Sequence, residues 1–264
     1  MKVYDIVKSQ RDEKETFMKK LLTLICSAGL LFSMAACSGS KVQDKALDAL
    51  ETSLNKIVEM KTATYSMGMD AKSGEETATL KISGGYLADT AKPSFTAVVD
   101  MESQGQKMDG FMKLYMKDNV VYYDMMGMKG KGPATEIEQE ETKFEKFNLK
   151  KDEIKPYLKK AELKGDSLVL ELDADKVNNI AKKAESSEIA ATANVKDSTI
   201  SKFNLTATRQ DDFITKAVID FEGTQKNASG KDEPISGKIT IEFNDINKGK
   251  ALTFPDFSEF KEVK

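Results

Sequence analysis

The chain has 264 residues, with 40 lysines and arginines against 43 aspartates and glutamates, no His, no Trp and two cysteines. With no imidazole anywhere and both Cys26 and Cys37 near the N-terminus, His/Cys zinc sites and Ser-His-Asp or Cys-His catalytic centres are excluded, and no disulfide can form after Cys37. Net acidity, with Arg209 the sole arginine beyond Cys37, argues against a nucleic-acid-binding surface.

In chain order, residues 1–17 are charged and unlike the start of a signal peptide, so translation is expected to begin at Met18. Residues 18–37 read MKKLLTLICSAGLLFSMAAC: two lysines, an apolar run from Leu21 to Phe32, then Ala35 and Ala36 directly before Cys37. The run is too short to span a bilayer comfortably. This arrangement resembles the lipobox of bacterial lipoproteins, with Met34 where Leu is usual. The resemblance implies that 1–36 is a lipoprotein signal peptide and that Cys37 is acylated, with palmitate-like chains, and becomes the mature N-terminus. Residues 37–41 are then a lipidated tether, and 42–264 a single domain lipid-anchored to the extracytoplasmic face of the cell membrane. Removal of 1–36 leaves 34 basic against 39 acidic side chains.

Val42 to Met60 predicts an amphipathic helix, with Leu47, Leu50, Leu54, Ile57 and Val58 at three- and four-residue steps. After Lys61 the period becomes two. Tyr65, Met67, Met69 and Ala71 alternate with polar residues and Gly68, and Ala78, Leu80 and Ile82 follow a Ser73-Gly74 turn. Gly84-Gly85 and Pro93 are expected to punctuate the next connection. Phe95, Ala97, Val99 and Met101 form one strand face; Met108, Gly110, Met112, Leu114 and Met116 form the next, after a turn at Gln104-Gly105. Asp118-Asn119 suits a hairpin into Val120–Met126. These five strands read as an antiparallel meander, and 127–143 reads as a polar loop.

Leu149 to Lys160 predicts a short helix broken at Pro156, followed by a strand through Leu168, Leu170 and Leu172. Asp173 is placed to cap a helix running to Ala184. Phe203, Leu205 and Ala207 predict a strand, Asp211-Asp212 a turn, and the segments around Phe213–Phe221 and Ile239–Phe243 two more strands. Helix, strands, helices and strands together give an α+β pattern with an antiparallel sheet.

This layout resembles the LolA/LolB superfamily, including LppX-type mycobacterial lipoproteins and LolA-like lipoproteins of Gram-positive bacteria. The residues that carry it are the lipobox, the helix-to-strand junction KALDALETSLNKIVEMKTATYSMGMDA (45–71), the paired meanders and the closing ITIEFNDINKGKALTFPD (239–256). The resemblance implies a strongly curved antiparallel half-barrel with helices packed on its concave face around a hydrophobic cavity. It also implies a carrier of acyl chains or lipidated proteins, with no catalytic residues and no cofactor.

Ten methionines fall between Met60 and Met128. The plainest reading is core filling. The functional reading is a deformable wall for a lipid, because unbranched thioethers adapt to varied shapes. A third is Cu(I) held by clustered thioethers. The candidate ligand-contact residues are Met67, Met69, Met101, Met108, Met112, Met116, Phe95 and Leu114. The expected function is binding of a hydrophobic small molecule or lipid without catalysis. The alternative is a surface interaction or sensory module, its concave face filled by Leu47, Leu50, Leu54 and Ile57, acting through a protein partner. The carboxylate pairs Asp211-Asp212 and Glu140-Glu141, the acidic stretch 136–145 and the tyrosines Tyr115, Tyr122 and Tyr123 read as turn charges, solvated surface and strand packing.

Overall fold

The computed structural model describes residues 41–57, 59–88, 92–134, 150–184, 198–227 and 229–262. Cys37, the signal segment, the acidic stretch 136–145 and Glu140-Glu141 lie outside the described residues. The described chain is mostly β: one open, curved sheet of thirteen strands with few, short helices.

The sheet contains β1 (Lys41–Val42), β2 (Thr62–Ser73), β3 (Glu76–Leu87), β4 (Ser94–Ser103), β5 (Gln106–Lys117), β6 (Val120–Met125) and β7 (Met128–Pro133). It continues with β8 (Leu158–Lys164), β9 (Ser167–Leu172), β10 (Ser198–Gln210), β11 (Phe213–Lys226), β12 (Asp232–Asn244) and β13 (Lys261–Glu262). The helices are α1 (Asp44–Ile57), the single turn α2 (Lys151–Ile154), which runs into a 3₁₀ turn at Lys155–Tyr157, and α3 (Ala174–Ala184). Strand order is β1-β8-β9-β10-β11-β12-β2-β3-β4-β5-β6-β7-β13. Two meanders, β8–β12 and β2–β7, therefore join where β12 pairs antiparallel with β2. Among the described residues, only the two-residue ends β1 and β13 pair in parallel, with β8 and β7.

Turn chemistry sets the hairpins. Asp118 and Asn119 have φ of 51° and 61°, and Asp211 and Asp212 have 50° and 66°. Two successive positive φ values match the right-handed twist of flanking strands, and Asp and Asn tolerate them better than most side chains. The predicted carboxylate pair Asp211-Asp212 is thus a hairpin turn.

Four expectations need correction. The helix expected through Lys160 gives way at Leu158 to β8, whose backbone pairs with β9. Helix α1 begins at Asp44, because Lys41 and Val42 pair with Lys160 and Ala161 of β8. Gly84-Gly85 does not end a strand: β3 runs through both. The segment 128–133, expected as loop, is β7, since its backbone completes the hairpin with β6 although its glycines carry no alternating apolar pattern.

Helix α1 turns Ala46, Leu47, Ala49, Leu50 and Leu54 onto the sheet, where they meet Ala161, Leu168, Leu170, Ala207 and Ile214. The buried Ser53 on α1 accepts a hydrogen bond from Arg209 Nε at 2.7 Å, and Arg209 also pairs with Asp212. Helix α3 is capped as expected, Asp173 Oδ1 accepting from the Asp175 backbone N–H at 3.1 Å. Asn178 clips α3 to β10: its amide donates to the Ile200 carbonyl at 2.7 Å and accepts from the Ile200 N–H at 2.8 Å. No helix among the described residues is long and apolar enough to cross a membrane.

Candidate functional site

Alternation along each strand sends every second side chain to one face, and antiparallel register then aligns these side chains across strands. The result here is two cross-strand ladders. The first runs Leu163, Leu168, Ala207, Ala217, Ile241, Met67, Ile82, Val99, Met112, Met125 and Met128, from β8 to β7. The second runs Ala161, Leu170, Leu205, Ile219, Ile239, Met69, Leu80, Met101 and Met108, from β8 to β5. Neither ladder contains a polar side chain.

All eight candidate residues stand on this apolar face. Met67 and Met112 belong to the first ladder, and Met69, Met101 and Met108 to the second. Leu114 lies opposite Ala97, and Phe95 opposite Met116. Met108 keeps its face although β5 bulges. Val99 faces Met112 while Met101 faces Met108, and Gly110 takes φ of 60° between them. The bulge is closed by the Gly110 N–H donating to Asp100 Oδ1 at 2.6 Å. A glycine reaches this backbone region without steric cost.

The helices cover the face unevenly. Leu47, Leu50 and Leu54 of α1 fill it over β8–β11. Val177 of α3 reaches the cluster of Met69, Leu80, Val99, Phe203, Ile219, Phe221 and Ile239. Met69 has 0% of its surface exposed and is packing. Met67, Ile82, Met101 and Met112 pack against the margin of that cluster and are only half-buried, as are Phe95, Met108, Leu114, Met116, Val121 and Met125 beyond it. The face ends at β7 with Met128, 63% exposed.

Tyrosines border the opposite end of this half-buried area. Tyr65 stands across from Gly84, and its hydroxyl donates to the Thr96 carbonyl at 3.0 Å. A side chain at Gly84 would sit 2.7 Å from the Thr96 carbonyl carbon and closer still to its oxygen. Tyr123 likewise lies over Gly130, and Phe221 over Gly237. In each pair an aromatic ring covers the gap left by the facing glycine, which keeps the apolar surface continuous. Burial pushes the Tyr86 hydroxyl up to about 12 and raises that of Tyr65 above its usual value. Both stay neutral near neutral pH, so the face carries hydroxyls but no charge.

On the other side of the sheet, the C-terminal tail covers part of β3, β5 and β6. Phe257 stacks on Tyr122 at 3.7 Å between ring centroids and meets Tyr115 edge-on at 5.8 Å; Phe260 meets Tyr122 edge-on at 5.6 Å. Leu252 crosses at Gly85, where a Cβ would stand 2.8 Å from its Cδ2. Tyr115 and Tyr122 are therefore packing partners of the tail on the opposite face, and only Tyr123 shares the apolar one. Asn247 starts the tail by accepting from the Lys61 N–H at 2.6 Å and donating to the Glu59 carbonyl at 3.1 Å. A recess of about 530 Å³ also lies on the opposite face, among Asp70, Lys72, Thr79, Asp220, Glu222 and Lys238. Its open, mixed-charge walls do not suit an apolar ligand. No group of three or more Asp, Glu, His or Cys side chains placed to hold a metal ion occurs among the described residues.

Sequence reading found the methionine strands but missed both the ladders and the ring-over-glycine pairs. A glycine on the apolar phase of a predicted strand, such as Gly84, was the available signal.

No protein-family model matches the sequence, and no curated protein matches it. Among solved structures, the chain is similar to the Mycobacterium tuberculosis lipoprotein LppX, with 9% identity over 80% of this chain and 100% of that one, at a TM-score of 0.40. It is also similar to LprF from Mycobacterium bovis, with 10% identity over 83% of this chain and 99% of that one, at a TM-score of 0.43. Likeness at this level says nothing of ligand or mechanism. The chain is similar to mycobacterial lipoproteins of the LppX type, the resemblance expected from its sequence.

Proposed function

We propose that this protein is a membrane-anchored, extracytoplasmic lipoprotein that binds an acyl chain, a lipid or a lipidated molecule on the apolar face of its sheet, and that it is not an enzyme. In this reading the apolar face is the concave one, Cys37 carries the anchor, and the ligand lies against Met67, Met101, Met108, Met112, Met116, Phe95 and Leu114, with Met69 beneath them. The observation that carries the reading is the run of half-buried apolar side chains over β2–β6, beyond the part of the face that α1 fills and reaching out from the margin of the cluster that α3 joins. Covering such a surface gains roughly 25 cal/mol per Å² of apolar area. Methionines adapt to the covering chain, and the Tyr65 and Tyr86 hydroxyls supply polar groups at one border.

The second reading, an interaction module with a filled core, draws on Leu47, Leu50, Leu54 and Met69, which occupy their part of the face completely. The test is native mass spectrometry and lipid extraction on the chain from residue 38 onward, purified without detergent. A stoichiometric acyl species supports binding and names its class. A clean apo mass that added lipids leave unchanged favours the protein-partner reading. In the binding reading, Met112→Lys removes the bound acyl species while the circular dichroism of the sheet persists. Loss of the fold instead assigns Met112 to the core.

A further inference from the structure

The first ladder changes character along its length, and that change gives a ligand a direction. At its β8 end it is buried under α1. At Met67, Ile82, Met112 and Met125 it is half-buried, with the small Val99 buried between Ile82 and Met112, and at Met128 it is 63% exposed. Met126, in the adjoining turn, is 64% exposed. These two and Leu87 are the large apolar side chains exposed among the described residues. An exposed apolar residue alone is ordinary; one that continues a cross-strand apolar row out to a sheet edge forms the lip of a track.

Among the described residues, the edge is open at this point. β13 pairs with β7 only at Gly130 and Lys131, beyond Met128. β6 pairs with β5 from Met112 onward, and Met126 N–H donates to the Phe111 carbonyl at 3.2 Å, so the hairpin ends short of Gln106–Gly110 and leaves a step beside the bulge at Gly110. The track from Met128 back to Met67 crosses five strand spacings, about 24 Å. That span is on the scale of a long unbranched acyl chain. A chain lying along β5 would meet Met108, Met112, Leu114 and Met116, but its two ends would reach exposed residues, at the Gln104-Gly105 turn on one side and at Lys117–Asn119 on the other. A chain lying across the strands meets only Met, Ile and Val. At its inner end the track stops where α1 fills the face, so one end is blind and the other open.

We propose, on the footing of the binding function above, that the ligand is a long, unbranched acyl chain that enters over the β6–β7 edge. It lies across the strands along the ladder Met128–Met125–Met112–Val99–Ile82–Met67. Its methyl end points toward Met67 and its polar end remains at Met126 and Met128, in water. A polar group of any size is thus accepted, because none of the described residues encloses it.

The absence of Trp from the sequence makes a direct test available. Met128→Trp and Met67→Trp each place one fluorescent indole in the full chain. Stearate brominated beside its carboxylate, or brominated near its methyl end, then serves as quencher, with native mass spectrometry counting bound probe. The expected result is crossed. In Met128→Trp the carboxylate-end bromine quenches the indole at least twofold more than the methyl-end bromine does, and in Met67→Trp the order reverses. If Met67→Trp does not fold, Met112→Trp takes its place, with near-equal quenching by the two probes expected at the middle of the track. Bound probe with the opposite order, or with no dependence on bromine position, overturns the direction and leaves the binding function standing. No bound probe on the unsubstituted chain overturns both.

Discussion

Replacing Gly84 with alanine is expected to destabilise the protein by about 2 kcal/mol, although the substitution is the smallest possible and the site is in a strand. The added Cβ would stand 2.7 Å from the Thr96 carbonyl carbon, a backbone atom of β4 that side-chain rotation cannot move. Separating β3 from β4 locally costs about 2 kcal/mol, as overpacking does elsewhere. The same shift breaks the hydrogen bond from the Tyr65 hydroxyl to the Thr96 carbonyl, worth about 1 kcal/mol. Against this, loss of a glycine from the unfolded chain returns about 0.7 kcal/mol. Gly68, in β2, is the internal control: nothing lies within 4 Å of its notional Cβ, so Gly68→Ala is expected to stabilise by about 0.5 kcal/mol. Urea unfolding followed by far-ultraviolet circular dichroism gives both values. Tyr65→Phe alone should cost about 1 kcal/mol, and nothing further on the Gly84→Ala background. If Gly84→Ala falls within about 0.5 kcal/mol of Gly68→Ala, the close approach of Thr96 is not what this position requires, and the argument fails.

Arg209→Ala leaves the buried Ser53 hydroxyl without its partner and should cost about 2 kcal/mol; the same change on a Ser53→Ala background should cost clearly less, both read by urea unfolding. Phe257→Ala removes the stack on Tyr122 and the edge contact with Tyr115, at about 1 kcal/mol for each ring pair, and should make 251–262 the first site of limited proteolysis; an unchanged cleavage pattern counts against the tail as a strap. The Tyr86 hydroxyl is raised by burial, so the folded state holds its proton where the unfolded state releases it. Stability is therefore intact below pH 10 and falls as pH rises from about 10 to about 12. Tyr86→Phe should shallow that loss in alkaline unfolding midpoints, and an identical pH profile would exclude Tyr86 as its source.

Much of this architecture is legible in the residues because the relevant signals are local. Period-two alternation marks β2–β6 and β9–β12, Asp118-Asn119 and Asp211-Asp212 mark hairpins, and Asp173 marks the start of α3. The placement of Met67, Met101, Met108, Met112, Met116, Phe95 and Leu114 on apolar strand phases follows from alternation too. Where reading failed, a local signal pointed against a tertiary one. Gly84-Gly85 looks like a break, yet the Tyr65 ring, the Thr96 carbonyl and the Leu252 side chain need that space. Met128 to Pro133 looks like loop, yet β6 supplies the pairing that its own side chains do not encode.

The sequence by itself determines the absence of imidazole and the apolar phase of each predicted strand, because the one depends on composition and the other on residues adjacent or nearly adjacent in the chain. Only the tertiary structure decides that β12 pairs with β2, which joins two meanders into one sheet and carries each apolar row from β8 across to β5 and β7. It alone decides which part of those rows α1 and α3 bury and which part stays half-covered. The physical reason is that register and helix placement depend on contacts between residues more than a hundred positions apart, such as Met67 with Ile241 and Ser53 with Arg209. Alternation fixes the face on which a side chain lies; contacts of that length fix what lies against it.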